Sequence, residues 1–445
     1  MLWMSALSAV GNIAWQVFES AVGLRPPLPP GVPGPEVLAK NGDHRYYYRR
    51  FLKYGPIFTT LWGQRISVCI VGAQRGKRLL AQHAKYLLGA SVELEPMVKH
   101  GVIRCMLGDT HAHYRKVLLA GMRPELPGLL EPQLRAIVRD VLDTLAQGRC
   151  EPLRPGQTPL HAATERVATR AMVTWMTGLA PSHPTSQAFQ AALFEMGPAE
   201  MPGNHLSPHQ LACFERVRTL MREVIAQLRA EPSPATLDGV VPRLVRDRND
   251  DIDETVIGNI SYALQQGRYD MGGLLRWTVS QLTDHPAVVE QFRAEPDEER
   301  RQPLAEGIVF ETLRLEQATA LHRVALEELE FDGYRIPKFA FVKFPLREGP
   351  HLDPAVFDEP DAWKPSRFVG RTYGADEYFP FGVSEHRCLG THLVMKVATL
   401  LVDELVRGYA WTKTGDNVRT MGRYHWEPAP TFDIRLTPLA AVQAV

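Results

Sequence analysis

Along most of the chain apolar residues recur at three-to-four spacing, and only a few short stretches alternate in the manner of strands. Trp3, Leu7, Val10, Ala14, Val17 and Ala21 lay out an amphipathic helix over residues 1–24, and RPPLPPGVPGP at 25–35 follows as a stiff linker. YYYRRFLKYGPIF predicts a short helix that stops at Gly55-Pro56. TTLWGQRISVCIVG, alternating and rich in β-branched residues, predicts a hairpin. From about residue 74 to 320 the spacing is mainly helical, with breakers at Pro124–Pro127, Pro152–Pro159 and Gly197–Pro208. GPAEMPGNHLSP reads as an exposed loop, and LSPHQLACFERVRTLMREVIAQLRA as a long amphipathic helix after it. Residues 253–283 form one long, largely buried helix, and Asp284-His285-Pro286 ends it and starts another. A further helix covers 304–315, after which LEFDGYRIPKFAFVKF turns to short strands around Asp332-Gly333 and Pro337. The last third mixes irregular segments, a cysteine-bearing loop, a helix over 391–406 and short terminal strands. The expected class is mainly α with small β-sheets (α+β), without βαβ alternation.

The 445 residues suit one large domain or two intimate ones. Lys+Arg and Asp+Glu both number 50, so the chain lacks the basic surplus of a nucleic-acid binder. Five cysteines, at 69, 105, 150, 213 and 388, are odd in number, far apart and without a CxxC. That argues against a disulfide framework and for a reducing, cytoplasmic setting. Four read as buried thiols; Cys388 stands apart. The N-terminal stretch has no basic n-region, against a signal peptide, and Asn12, Gln16 and Glu19 interrupt it, against a spanning helix. It is expected to dock on its own protein or, on a sharper reading, to lie on a membrane surface or a partner.

Chemistry concentrates in FPFGVSEHRCLG, residues 379–390, immediately before the helix over 391–406. Positive charge and a helix N-terminus both favour a thiolate, and Cys388 has His386 and Arg387 before it and that helix after it. Gly390 lets the backbone turn close to a flat partner, and Phe381 is placed to shield the sulfur from water. Such a thiolate is either a nucleophile, with His386 as its base, or an axial metal ligand. Upstream, Glu311 and Arg314 share one helix face, and Arg367 in KPSRF offers a third charge. A buried Glu between two arginines, if fully hydrogen-bonded, would lock the cysteine loop. No HExxH, Walker or GxGxxG motif competes.

Taken in order, these segments resemble the cytochrome P450 family over essentially residues 36–440. ETLR at 311–314 resembles its ExxR, KPSRF at 364–368 its PERF segment with Ser366 in place of the Glu, and 381–390 its FxxGxxxCxG loop. The resemblance implies heme b between the long central helix and the cysteine-loop helix, with Cys388 as the iron ligand; thiolate ligation favours O–O cleavage. GDTHAHYR at 108–115 resembles the H-x-x-x-R helix, so His111 and Arg115 would bind heme propionates, as would Arg323 and His386; His113 is left to solvent. The implied organisation is an N-terminal helix (1–24), a linker (25–35) and a single heme domain (36–445) with 181–245 as substrate lid. Met196, Met201, Leu206 and Phe214 are expected either to line its wall or to pack in the core, and 92–108 is a second candidate wall.

Two positions depart from the pattern. With Pro286 fixing the register, Gly267 falls at the glycine of the acid–alcohol segment, Tyr269 at its acid and Asp270 at its threonine. Asp270 is then expected to deliver the proton, with Tyr269 and Gln266 organising water. Other routes stay open: the substrate's own hydroxyl, or a peroxide- or Lewis-acid-type reaction in which Arg268 and Asp270 act as acid–base groups. Ser384 replaces a loop glycine, which would strain a left-handed turn. The expected function is a monooxygenase oxidising a small apolar, lipid-, terpenoid- or polyketide-like substrate. Its electrons would come from a separate ferredoxin, flavodoxin or reductase partner docking near Arg387, His392 and Lys396. The rivals are a peroxygenase, isomerase or dehydratase, and a non-catalytic heme-bearing scaffold.

Overall fold

A computed structural model describes residues 14–31, 43–62, 65–89, 101–197, 206–230, 238–317, 320–347, 349–421 and 426–439. Helices dominate: α1 (Tyr46–Tyr54), α2 (Ala73–His83), α3 (Gly108–Gly121), α4 (Leu126–Leu129), α5 (Glu131–Ala146), α6 (Pro159–Thr177), α7 (Pro184–Met196), α8 (Pro208–Ala230), α9 (Val240–Arg248), α10 (Glu254–Asp284), α11 (Pro286–Ala294), α12 (Glu298–Thr312) and α13 (Thr391–Gly408). The strands are β1 (Ile57–Trp62), β2 (Arg65–Ile70), β3 (Leu87–Gly89), β4 (Ala320–Ala325), β5 (Leu329–Phe331), β6 (Tyr334–Ile336), β7 (Phe341–Pro345), β8 (Tyr409–Thr414), β9 (Arg419–Met421), β10 (Trp426–Pro428) and β11 (Asp433–Pro438). The class expected from the hydrophobic pattern is the class observed.

The central helix α10 is built as its sequence dictates. Asp253 accepts a hydrogen bond from Val256 N–H at its N-cap, and His285-Pro286 closes it by placing a proline at the first position of α11. It is buried on most sides, notably against α6, and the two belong to one large apolar core shared with α5, α8 and α13. The second core lies under the five-stranded sheet, ordered β1-β2-β7-β4-β3. Its pairs are antiparallel except β2–β7, and Arg323 of β4 lies opposite Val342 of β7 and Gly89 of β3.

Three local expectations are corrected. Helix α12 begins at Glu298, not 304: Asp297 caps it by accepting from Glu299 N–H, and Pro303 is accommodated inside. The helix then widens into a π turn over Leu313–Gln317. Of the four thiols read as buried, Cys69, Cys150 and Cys213 are, whereas Cys105 is half-buried. Ser384 opens a 3₁₀ turn, Ser384–His386, whose right-handed dihedrals a serine adopts without strain. Gly382, two residues earlier, takes the positive φ instead, at 81°.

Residues 14–21 are helical. Arg335 donates to Gln16 O at 3.0 Å and pairs with Glu19 at 3.4 Å, so the polar side of this helix docks on the domain. Trp15, Phe18, Val22 and Leu24 are exposed. The proline-rich stretch is also held: Thr59 donates through N–H to Pro30 O and through its hydroxyl to Pro29 O, and Arg335 N–H donates to Pro27 O. Among the described residues no helix is long and apolar enough to cross a membrane.

Candidate functional site

The anchoring cluster is densely hydrogen-bonded. Glu311 and Arg314 are fully buried and meet in a bidentate pair, with Nε to Oε2 and Nη2 to Oε1 both at 2.7 Å. Arg367 Nε and Lys364 N–H complete the Glu311 carboxylate at 3.0 and 2.8 Å. The remaining guanidinium N–H groups go to backbone carbonyls: Arg314 to His351, Pro360 and Ala362, Arg367 to Asp358, Glu359 and Ala362. A buried carboxylate between two arginines is tolerable on these terms. Gly307 lets α12 approach this turn, because a Cβ there would lie 2.7 Å from Pro365 O. The cluster thus ties α12 to the segment leading into the cysteine loop. Tyr378 donates to Phe310 O at 2.7 Å, and Phe379 N–H donates to His351 Nε2 at 3.3 Å.

From there the loop curls so that Cys388 N–H donates to Phe381 O at 2.9 Å, which sets the Phe381 ring beside the cysteine turn and against the main core. Cys388 then precedes α13. Its surroundings look contradictory: the side chain is solvent-accessible, yet protein encloses it on nearly every side. Both hold if the sulfur borders an internal cleft rather than the outer surface. Burial pushes the thiol up, against the pull of Gly390 N–H and Arg115, and the Asp270 carboxylate adds to the rise. The expectation of a thiolate favoured by His386 is corrected here. The His386 ring stacks on His111 at 4.1 Å, and burial, then Arg323, His111 and Arg115, push its pKa to about 3, so it carries no charge at neutral pH. The thiolate therefore calls for a positive partner on the cleft side.

At one end of the cleft four basic side chains from three elements converge: His111 and Arg115 of α3, Arg323 of β4 and His386 of the loop. Burial and then neighbouring cations lower the pKa of each, that of Arg323 to about 10: Arg115 and Arg323 act on both histidines, Arg387 on Arg115 and Arg104 on Arg323. Glu385 is the carboxylate acting on His111, Arg115 and Arg323. Arg104, missed in the sequence beyond lying in the stretch 92–108, adds to the repulsion on Arg323 and His386. Burial opposes its charge, but the Tyr262 hydroxyl and the Asp270 carboxylate outweigh that and hold its pKa above the usual arginine value. A crowded, under-neutralised cationic end beside a cleft-facing thiol fits an iron porphyrin with two carboxylates. His113 is exposed, as expected.

Helix α10 sorts the departing residues by face. Gln266 and Asp270, four apart, point the same way, and Gln266 Nε2 donates to both Asp270 oxygens at 3.3 Å. Asp270 is solvent-accessible while acting on Cys388, Tyr262 and Arg104, which puts its carboxylate at the cleft. Arg268 and Tyr269 turn elsewhere. Arg268 is fully buried and bonds to Glu165 of α6, Gln265, Gly197 O and the Tyr269 hydroxyl, the last at 2.6 Å. Arg154 and Gln157 complete Glu165. Burial pushes the Tyr269 phenol up to about 12, so it stays protonated. Of the expected lid-wall residues, Met196 and Phe214 lie in the main core and Leu206 packs on it, while Met201 lies outside the described residues, as does 92–100 of the second wall. Lys396 is held by Glu131 at 2.7 Å, leaving Arg387 and His392 as the exposed bases on the loop side.

Comparison with known proteins agrees with this geometry. Residues 272–424 match the family model described as Cytochrome P450. The chain is 24% identical over 425 residues to an abscisic acid 8'-hydroxylase 2 of Oryza sativa subsp. indica, covering 87% of this chain and 82% of that protein. It is 23% identical to cytochrome P450 85A1 of Oryza sativa subsp. japonica, covering 88% of each. Its fold matches the retinoic acid-bound cyanobacterial CYP120A1 with a TM-score of 0.73 at 20% identity, over 93% of this chain and all of that one. With the fold, the thiol at the cleft and the cationic end in agreement, the chain belongs to the cytochrome P450 family, monooxygenases that work with heme b.

Proposed function

We propose that this P450 oxidises a small apolar substrate and that Asp270 passes protons into the cleft, in place of the usual acid–alcohol pair. Bound heme supplies dioxygen activation at its iron. Cys388 Sγ would hold that iron, and Arg115, Arg323, His111 and His386 would hold the porphyrin carboxylates. The observation that carries the Asp270 assignment is its place on α10: its carboxylate is exposed and its charge acts on the Cys388 thiol, whereas Arg268 is fully buried against Glu165 and bonded to the Tyr269 hydroxyl. Gln266 Nε2, within reach of both carboxylate oxygens, orients Asp270. The burial of Arg268 against Glu165 disfavours the peroxide reading, since it removes one of the two acid–base groups that reading would use. The relatives act on or bind abscisic acid and retinoic acid, both apolar isoprenoid acids, which supports an isoprenoid- or lipid-like substrate here. The electron donor is a separate protein, docking at the face that exposes Arg387 and His392.

Two measurements test this. The carbon-monoxide difference spectrum of the reduced holoprotein should carry the thiolate signature and lose it in Cys388→Ala. With a surrogate reductase, Asp270→Asn should lower product formation about 100-fold while dioxygen uptake continues and hydrogen peroxide is released. Asp270→Glu should retain part of the coupling. Unchanged product per dioxygen in Asp270→Asn would remove the assignment.

The exposed Trp15, Phe18, Val22 and Leu24, opposite a polar side anchored by Arg335, support peripheral contact of this helix with a membrane surface. Trp15→Asp/Phe18→Asp should abolish sedimentation with anionic vesicles without changing the carbon-monoxide spectrum.

A further inference from the structure

Away from the cleft, three side chains of different chemistry meet between α7 and α8. Glu195 lies one residue from the end of α7, and His209 is the second residue of α8. Cys213 follows His209 by four, which places the two on one helix face. Cys213 Sγ lies 3.7 Å from His209 Nε2, and the same Nε2 lies 3.7 Å from Glu195 Oε1. All the ligand atoms fall within 4.8 Å of one another.

These spacings are close to the edges of a coordination tetrahedron. With metal–sulfur and metal–nitrogen bonds of about 2.3 and 2.0 Å, such edges come to roughly 3.3–3.6 Å. The two edges at His209 therefore need to close by only a few tenths of an ångström, and the third, between Cys213 and Glu195, is at most 4.8 Å. We infer that Glu195, His209 and Cys213 form a binding site for a divalent transition metal of the zinc class, joining the end of α7 to the first turns of α8.

The donor set selects the metal. A thiolate and an imidazole favour zinc, cobalt, nickel or copper over magnesium and calcium, which take oxygen ligands. Cys213 is buried, whereas His209 and Glu195 are exposed, so a fourth position faces solvent and would hold water. Arg216 pairs with the other Glu195 oxygen, Oε2, and so orients Oε1 toward the site. Its positive charge also opposes the cation. Burial, then Glu195, push the Cys213 thiol up, so binding must release its proton. Both effects set the affinity well below that of a closed four-ligand site. The two helices are already held in place without metal: Gln210 Nε2 donates to Met196 O at 3.0 Å, and Gln265 and Arg268 of α10 both donate to Gly197 O at 3.2 Å. The metal would therefore add to a formed contact rather than create one. This inference does not depend on which group activates dioxygen.

The test uses the heme-loaded full chain. Calorimetric titration with zinc should show one ion per chain, and zinc-edge X-ray absorption should show one sulfur neighbour at about 2.3 Å. Cys213→Ser should remove the sulfur signal. His209→Ala should weaken binding at least tenfold, and Glu195→Gln by a smaller factor, while the carbon-monoxide spectrum stays that of the parent. Because Cys213 is buried, His209→Ala, on the surface, decides the matter if Cys213→Ser fails to fold. Absence of stoichiometric zinc, a sulfur signal that survives Cys213→Ser, or unchanged affinity in His209→Ala would each overturn the site.

Discussion

Two groups of buried arginines show opposite solutions to the same cost. Around Glu311 every guanidinium N–H of Arg314 that the fold brings inside meets a carboxylate oxygen or a carbonyl, and the pair is closed to solvent. Around Arg323 the bases face one another, and burial and repulsion pull their pKa values down together. The first arrangement is complete in the protein alone and holds the chain in place. The second is costly in the protein alone and becomes favourable only when an anion enters. Saturation thus marks a structural cluster, and surplus charge marks a binding site.

The largest effect is expected where saturation is broken. Glu311→Gln leaves two buried guanidinium groups short of a counter-charge and should cost about 3–5 kcal/mol, enough to prevent accumulation of folded holoprotein, read by denaturant unfolding and heme content. Next come Arg115→Ala and Arg323→Ala, which should speed heme loss at least tenfold while leaving the unfolding midpoint of the heme-free chain unchanged or higher, since each relieves repulsion. A fall in the heme-free midpoint would make these residues structural and erase the contrast.

Acid should act on the closed side. His351 is fully buried, and its Nε2 accepts from Phe379 N–H, so burial and Arg314 push its pKa from 6.5 to about 3. Below pH 6.5 the unfolded chain takes up this proton and the folded chain does not. Its contribution is whole above about pH 6.5 and drains as the pH falls toward about 3. Heme-free protein should lose about 1 kcal/mol per pH unit from this group in urea titrations between pH 6 and 4, and His351→Gln should flatten that slope. The smallest effect is expected at Lys364. Its N–H serves Glu311, but its ammonium pairs with the exposed Asp358 and Glu359, so Lys364→Ala should shift stability by under about 1 kcal/mol and leave heme content unchanged.

Much of this was readable in the chain itself. The ends of α10, with Asp253 as cap and Pro286 as stop, follow from local rules that need no tertiary context. The start of α12 was misread because Pro303 is a local breaker signal, and the Asp297 cap with its two following glutamates overrode it. The roles of Arg268 and Tyr269 were not readable, because consecutive residues on a helix leave in directions about 100° apart and only the neighbours decide which one meets the cleft.

The amino-acid sequence alone determined the α-rich class, the central helix and the order of the charged and cysteine motifs, since these rest on spacing, caps and breakers between near neighbours. Only the tertiary structure decided that the charge of Asp270 bears on Cys388, that His386 is neutral against His111, and that Arg104 joins the cationic end. Those outcomes are set by burial and charge between residues far apart in the chain, and neither quantity exists until the chain has folded.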